Sequence, residues 1–318
     1  MPVSANVGGS WKNQKARWVN VSGTWKEVVN TWVNVSGSWK KAYTYSYDTG
    51  TWGTCSKNCG TGTQTRTVTC KRSDGTTVTD SYCTAYGLTK PGTSQNCNTT
   101  ACYTGGTYTS SSTFTAPHAG KYQFKVYGAG GGGGGGGKTQ KVTCEWYTSE
   151  DSGSTSATYY GSGGGGGGAG GYNTVTVTLS AGDTVTLSVG AAGSAGAVAA
   201  NGGAGGNTSI SGGASTSAGG GKGGGKGATC AATGGEYPYG SSGCVPACNV
   251  AGGAGGAGGT GDTNGANGSA GTQAKKATSA VAGGAGGNSV RDGGKGGNSN
   301  AAGSKGDTGA VAVSYIAT

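Results

Sequence analysis

The apolar positions of residues 1–46 recur in step. GSWK from Gly9, GTWK from Gly23 and GSWK from Gly37 return every 14 residues, and WVNVSG from Trp18 is repeated from Trp32. Val19/Val21 and Val33/Val35 alternate with Trp18/Asn20 and Trp32/Asn34, which is the two-residue period of a strand, while Ser22-Gly23 and Ser36-Gly37 supply turns. Each unit is therefore predicted as one hairpin, too small to bury its own face and in need of its neighbours or a partner chain. Trp11, Trp18, Trp25, Trp32 and Trp39 then have two readings: a core of their own formed across strands, or a docking surface.

A second set of strand patterns frames the rest of the chain: TFTAP from Thr113, KYQFKVYGAG from Lys121, YNTVTVTL from Tyr172, TVTLSVGAAG from Thr184 and GAVAVSYIA from Gly309. Ser180-Ala181-Gly182-Asp183 reads as a hairpin turn between the two valine-threonine strands. Between these patterns runs glycine with period three: GGAGG from Gly202 and Gly283, GGAGGAGGTG from Gly252, and GGKGG from Gly293. Period three is the signature of an extended left-handed helix of the polyproline II type, which makes no hydrogen bonds of its own. Several such helices side by side, with glycine at the contacts, can pair main chain with main chain and need almost no side-chain core.

Composition narrows the classes. Of 318 residues, 75 are glycine and 5 proline, and Val, Leu, Ile and Phe together number thirty, so no large aliphatic core is available. The net charge of +10 is too weak for the chain to be held open by self-repulsion. Five prolines exclude collagen. No apolar run is long enough for a transmembrane helix, and MPVSANVGGSWK does not read as a secretory signal, although ten cysteines point to an oxidising environment. A protein assembled inside a cell and oxidised after release, such as a virion component, reconciles the last two.

Six cysteines fall within 47–103: Cys55, Cys59, Cys70, Cys83, Cys97 and Cys102, and their spacing alone leaves every pairing open. TWGTCSKNCGTGTQTRTVTC from Thr51 with KPGTSQNCNTTAC from Lys90 resembles a thrombospondin type 1 repeat. That resemblance implies bridges Cys55–Cys97, Cys59–Cys102 and Cys70–Cys83, and a ladder of tryptophans and arginines shortened here to Trp52 and Arg66, with Tyr45 and Tyr47 upstream. Asn58 stands where a fucosylated residue would precede the second cysteine, and WxxW is missing. Lys57, Arg66, Lys71, Arg72 and Lys90 make the module basic, open both to a rigid spacer and to a polysaccharide-binding role.

APHAGKYQFKVYGAGGGGG from Ala116 with LSAGDTVTLSVGAAG from Leu179 is similar to the glycine-rich domain of bacteriophage tail proteins and, more distantly, of the anaplastic lymphoma kinase receptors. The glycine-bundle tip adhesins of T-even-like phages use a related packing. The fold class so implied is all-β: N-terminal β-hairpin repeats over 1–46, a disulfide-stapled thrombospondin type 1-like module over 47–103, and over 104–318 a β-sandwich enclosing a polyglycine II helix bundle. The function implied is a non-enzymatic receptor-binding protein at the tip of a phage tail or tail fibre, acting outside the host, with a purely structural virion spacer as the alternative.

Gly132 to Thr139 matches GxxxxGK[ST], but QKVTCEWYTSEDSGS after it has no helical period to present amides to a phosphate, so nucleotide binding is not expected. His118 beside Pro117 is the one histidine, which leaves no catalytic residues, no metal site and no cofactor to expect. Cys144, Cys230, Cys244 and Cys248 are read as two disulfides of open pairing in preference to a zinc site. The interruptions of the glycine carry the candidate contacts: Lys138, Lys141, Glu145, Trp146, Tyr147, Tyr159 and Tyr160 in 138–160, Tyr237, Pro238 and Tyr239 in 228–250, and Lys275 and Lys276 in 272–282. The receptor-binding set is Lys141, Trp146, Tyr147, Tyr159, Tyr160, Tyr237 and Tyr239, facing a host cell-surface protein or polysaccharide. The five N-terminal tryptophans face other tail proteins, with neither nucleic acid nor membrane insertion expected.

Overall fold

The computed structural model describes residues 4–7, 10–13, 18–27, 31–148, 150–230, 250–274 and 279–316. The chain is almost all β, in many small sheets, and forms two compact units, Met1–Ala101 and Cys102–Thr318.

The first unit opens with three antiparallel hairpins: β1 (Ser4–Val7) with β2 (Ser10–Asn13), β3 (Trp18–Val21) with β4 (Thr24–Glu27), and β5 (Thr31–Val35) with β6 (Ser38–Ala42). The repeat is a repeat of register, since Asn6 lies opposite Trp11, Asn20 opposite Trp25 and Asn34 opposite Trp39. Ser22 and Gly23 (φ 54° and 85°) and Ser36 and Gly37 (φ 52° and 82°) take positive φ, as two-residue hairpin turns with the sheet's own twist require. The asparagine two residues before each serine locks its turn: Asn20 Oδ1 accepts from the Gly23 N–H at 2.8 Å and Asn34 Oδ1 from that of Gly37 at 2.9 Å. Trp25, Trp32 and Trp39 are 65, 54 and 68 % exposed, so the expectation of a self-made tryptophan core does not hold for these three. Four- and five-residue strands with exposed indoles on them have too little to bury.

The same unit continues with β7 (Tyr45–Thr49), β8 (Gly62–Thr65), β9 (Val68–Arg72), β10 (Thr77–Val78), the short helix α1 (Asp80–Ala85) and β11 (Ser94–Cys97). β9 runs between β10 and β7, and β8 pairs with β11. Disulfides Cys55–Cys97 and Cys70–Cys83 are present as the resemblance implied, and Cys59 and Cys102 are each disulfide-bonded.

The second unit contains β12 (Gly106–Tyr108), β13 (Ser112–Thr115), β14 (Gly120–Tyr127), β15 (Gln140–Tyr147), β16 (Ser152–Tyr159), β17 (Tyr172–Leu179), β18 (Thr184–Ser188), β19 (Thr208–Gly212), β20 (Thr216–Ala218) and β21 (Ala310–Ile316). Two four-stranded antiparallel sheets, β12-β21-β14-β17 and β13-β18-β19-β20, share one small core: Tyr122, Phe124, Val126, Val311 and Val313 from the first against Phe114, Val185, Leu187 and Ile210 from the second. The turn at Ser180–Asp183 forms, with Gly182 at φ 89°, but it joins different sheets, because β17 pairs with β14 and β18 with β13. The expected hairpin between the two valine-threonine strands is thus a crossover between layers: each strand has its inward residues spent on a different face of the sandwich core.

From the sandwich strands the glycine segments run on. Ten extended stretches, 128–137, 161–171, 190–199, 200–206, 219–228, 251–260, 263–272, 281–287, 292–300 and 301–309, are joined by main-chain hydrogen bonds that repeat every third residue. Segment 128–137 donates in rotation to three neighbours: Gly131, Gly134 and Gly137 to Gly168, Gly165 and Ser162; Gly132 and Gly135 to Gly203 and Ala200; Gly133 and Gly136 to Ser304 and Ala301. Its carbonyls accept in the same rotation from 193–199, 221–227 and 294–300. Segment 161–171 is surrounded in the same way, so two inner segments lie inside a ring of eight, and every residue of 128–137 and 161–171 is buried.

This explains the composition. An inner residue meets neighbours on all sides, and a Cβ on Gly135 would lie 1.8 Å from the Ala197 carbonyl oxygen. An outer segment has one position in three facing water, so in 251–260 residues 251, 254, 257 and 260 are exposed while 253, 256 and 259 are buried. In this segment the alanines and the threonine stand at those exposed positions: Ala251, Ala254, Ala257 and Thr260.

Candidate functional site

The glycine segments have two unlike ends. At one, they enter the sandwich strands: 127 passes to 128, 171 to 172, 218 to 219 and 309 to 310. At the other they turn back through the interruptions of the glycine. The β15–β16 hairpin joins the two inner segments, and 229–250 and 273–280 join outer ones at that same end. Val250 and Ala274 exchange main-chain hydrogen bonds of 3.1 and 3.0 Å, tying two of these connections together, and the Lys138 N–H donates to Thr229 Oγ1 at 3.3 Å, tying the third. The described ends of all three sequence-predicted loops therefore lie at one end of the glycine segments.

A small apolar cluster seats the hairpin. Tyr159 and Cys230 are buried, with Val142, Ala157 and Val250 against them, and Cys230 is disulfide-bonded. Tyr159, expected among the contact residues, is 7 % exposed; it closes the base of the hairpin instead, because alternation along β16 turns it inward with Ala157. Tyr160 is half-buried and Lys138 and Lys141 are exposed. The main chain of Trp146 lies opposite Gly153 and that of Tyr147 opposite Ser152, next to the hairpin's turn, while the side chains of Cys144, Trp146 and Tyr147 lie outside the described residues. Tyr237, Tyr239, Cys244, Cys248, Lys275 and Lys276 lie outside them as well. Of the N-terminal docking candidates, Trp25, Trp32 and Trp39 are on exposed hairpin faces, and the side chains of Trp11 and Trp18 lie outside the described residues.

Two serines that the sequence reading passed over hold the loops to the inner segments. Ser162 Oγ donates to the Ala251 carbonyl at 2.7 Å and accepts from the Ala228 N–H at 2.8 Å. Ser299 Oγ accepts from the Val281 N–H at 2.9 Å and donates to the Gly161 carbonyl. Both are buried; Ser162 was signalled by a single serine interrupting a glycine run, whereas Ser299, between Asn298 and Asn300, had no such signal. Asparagines do the same for outer segments that lack a neighbour on the water side: Asn267, Asn298 and Asn201 accept from the N–H groups of Gly258, Gly283 and Lys226 at 2.8, 3.0 and 2.8 Å.

The other motifs resolve into structure. The N–H groups of Gly132 to Gly137 all donate to carbonyls of neighbouring segments, so none is left for a phosphate. His118 is buried: its Nε2 accepts from the Tyr103 N–H at 2.9 Å, and the Tyr122 hydroxyl donates to its carbonyl at 2.7 Å. Desolvation by burial raises both the Tyr103 and the Tyr122 hydroxyl above the usual phenol range. A cleft of ≈ 490 Å³ beside the sandwich, lined by Asn173, Asn207, Ser217, Lys222 and Thr260, has its amide oxygens committed to the N–H groups of Asp262 and Gly220. Among the described residues no group of three His, Cys, Asp or Glu is placed to hold a metal.

In the first unit the Arg66 guanidinium lies 4.4 Å over Trp52 and its Nε donates to the Gly92 carbonyl at 2.9 Å. A second stack, missed in the sequence, puts Arg72 3.9 Å over Tyr43, while Tyr45 turns instead to Tyr82 and Tyr86. The basic residues are largely committed: Lys71 to Asp48 at 2.7 Å, Arg72 to Asp74 at 2.8 Å and Lys90 to Asp80 at 2.5 Å. The Arg72 hydrogen bonds hold the Asp74 carboxyl well below the usual carboxylate range.

The family model of the thrombospondin type 1 domain matches residues 47–102, and a domain of that kind occupies this part of the chain. No curated protein sequence matches the chain.

Proposed function

We propose that the chain is a non-enzymatic receptor-binding protein carried at the tip of a phage tail or tail fibre, recognising a host surface molecule through the loops at the far end of its glycine segments. The observation that supports the reading is that the β15–β16 hairpin and the described ends of 228–250 and 272–282 lie together at the end opposite the sandwich. Polar and aromatic loops on a scaffold fixed by main-chain bonding are an arrangement binding proteins use. We take the glycine segments as polyglycine II helices, the packing of the phage glycine-rich domains that the sequence resembles. The exposed Trp25, Trp32 and Trp39 support attachment of the N-terminal hairpins to another tail protein, with the disulfide-bonded domain as a spacer.

The test is adsorption. Trp146→Ala/Tyr147→Ala and Tyr237→Ala/Tyr239→Ala are each expected to lower host adsorption at least tenfold with the melting curve unchanged. Full adsorption by both double variants, or full infectivity after deletion of 138–160, would leave a structural spacer as the function.

A further inference from the structure

Where segment 219–228 leaves the sandwich, the flank of the second unit is notched by the cleft of ≈ 490 Å³. Gly219 and Gly220 line it, joined on one side to Thr260, whose carbonyl accepts from the Gly219 N–H at 2.7 Å, and on the other to Asn207, whose Oδ1 accepts from the Gly220 N–H at 3.0 Å. The notch cannot be filled from these two glycines. A Cβ on Gly219 would lie 2.7 Å from Thr260 Oγ1, and one on Gly220 2.1 Å from the Gly205 carbonyl oxygen. Small-ligand pockets have volumes of about 300–1,000 Å³ and are mostly apolar. This one has the size but a polar lining: among the described residues around it there is neither a carboxylate nor an apolar side chain.

Most polar groups around the cleft are spent on the fold. The Lys222 N–H donates to the Ala257 carbonyl and the Gly259 N–H to that of Ala169, both at 2.8 Å. Asn173 is used at both ends: its Oδ1 accepts from the Asp262 N–H and its Nδ2 donates to the Ser217 carbonyl at 2.6 Å. The neighbouring Asp262 carboxylate accepts from the Thr174 N–H at 2.9 Å. Four lining groups have no partner among the described residues: the exposed Lys222 ammonium, Asn207 Nδ2, and the hydroxyls of Ser217 and Thr260. They are one cation without a counter-charge, one amide donor and two groups that both donate and accept.

We propose that this cleft binds an acidic sugar residue, with its carboxylate or phosphate on Lys222 and its ring hydroxyls on Ser217, Thr260 and Asn207. An ammonium is a compact point charge on a flexible stem and takes either anion. Sugar hydroxyls both donate and accept, which is what the two free hydroxyls require of a ligand and what an apolar molecule cannot supply. The bare main chain of Gly219 and Gly220 lets a flat ring approach where any side chain would block it. The site lies at the sandwich end of the second unit and does not depend on the receptor-binding reading of the tip loops.

The probes are glucuronate, glucose 6-phosphate and glucose, titrated into the full-length protein and read by calorimetry and by amide chemical shifts. Saturable binding of an acidic sugar is expected, with shifts confined to 207, 217–222 and 258–261 and with glucose at least tenfold weaker. The tighter of the two acidic sugars identifies the anion as carboxylate or phosphate. Acetate and inorganic phosphate, which lack the ring, should also bind at least tenfold more weakly. Lys222→Gln and Ser217→Ala/Thr260→Val should each weaken binding at least tenfold with the melting curve unchanged, because the main-chain bonds of these residues remain. Absence of saturable binding by both acidic sugars, or equal binding by Lys222→Gln, overturns the proposal. So do shifts spread over the other exposed lysines and matched by inorganic phosphate, since charge alone would then account for them. Trp146→Ala/Tyr147→Ala should bind the sugars as the parent does; loss of binding in that variant would move the site to the tip and overturn the assignment to the cleft.

Discussion

Gly135 lies in the middle of an inner segment, and replacing it by alanine tests the lattice directly. The new Cβ would sit 1.8 Å from the Ala197 carbonyl oxygen and 2.5 Å from its carbon, so segment 190–199 must retreat by about 1.2 Å to reach the 3.0 Å that real Cβ contacts respect. That segment is held here by hydrogen bonds from Gly196 to Gly133 and from Ala199 to Gly136, both 2.8 Å, and Gly135 itself donates to Ala200 at 2.9 Å. Losing these three bonds costs roughly 1 kcal/mol each, and burying their groups unpaired adds more, for about 3–6 kcal/mol. Against a total stability of ~5–15 kcal/mol this is a large loss, and the melting temperature of the second unit should fall by roughly 6–24 °C. Two controls separate the causes. Gly182→Ala has nothing within 4 Å of its Cβ but a φ of 89°, and should lose only about 1–2 kcal/mol. Ala257→Lys faces water, in the place where Lys222 and Lys295 stand in their own segments, and should change stability by less than ~0.5 kcal/mol. Thermal unfolding followed by circular dichroism ranks the three; a Gly135→Ala protein that melts with the parent would refute close main-chain packing.

Asn298→Ala removes the acceptor for the Gly283 N–H and should cost about 1–2 kcal/mol in the same assay, with Asn298→Asp recovering most of it. Reduction of the disulfides should destabilise the first unit by several kcal/mol and leave amide exchange of the inner glycines unchanged, because 128–137 and 161–171 are held by main-chain bonds. The two units should also differ in pH response. Asp74 is depressed when folded, so its stabilisation is present at neutral pH and is lost as pH falls below the ordinary carboxylate value of ~4, and Asp74→Asn should flatten that acid limb. Tyr103 and Tyr122 are raised when folded, so the sandwich keeps its full stability up to pH ~10 and loses it as the pH rises further, with Tyr103→Phe reducing the alkaline loss.

How far the chain could be read in advance depended on how local the determining interaction is. Turn chemistry is local, so the three hairpins, the Ser-Gly turns and the turn at Asp183 were legible. The cysteine spacing was legible only through family resemblance, which fixed Cys55–Cys97 and Cys70–Cys83 where spacing alone did not. Period three announced extended segments, but which segments are inner is a matter of how many neighbours surround them. Its trace in the sequence is the loss of the third residue, as in Gly130–Gly137 and Gly163–Gly168, where every position is glycine. The exposure of Trp25, Trp32 and Trp39 was not legible, because alternation puts the indoles on one face without saying whether anything covers it. Nor was the burial of Tyr159, which depends on Cys230 and Val250, far away in sequence.

The topology also accounts for where candidate chemistry can accumulate. At the sandwich end every glycine segment is continuous with, or adjacent to, a strand whose register is fixed by the shared core, so an insertion there would disturb Phe124, Leu187 or Val311. At the other end a connection only has to leave one segment and enter another. The β15–β16 hairpin joins the two inner segments, each bonded on all sides, so its base is held by both at once: Gly137 donates to Ser162 at 2.8 Å, directly beneath the strands. The loops at 229–250 and 273–280 leave outer segments and are tied back to the centre by Ser162 and by the Val250–Ala274 pair. A chain built this way can lengthen or recolour its tip without altering a single bond inside the ring. Sequence variation among proteins with this lattice should then concentrate between the two inner glycine runs and in the two flanking loops, and variation spread evenly through the glycine segments would contradict the neighbour geometry on which the tip is placed.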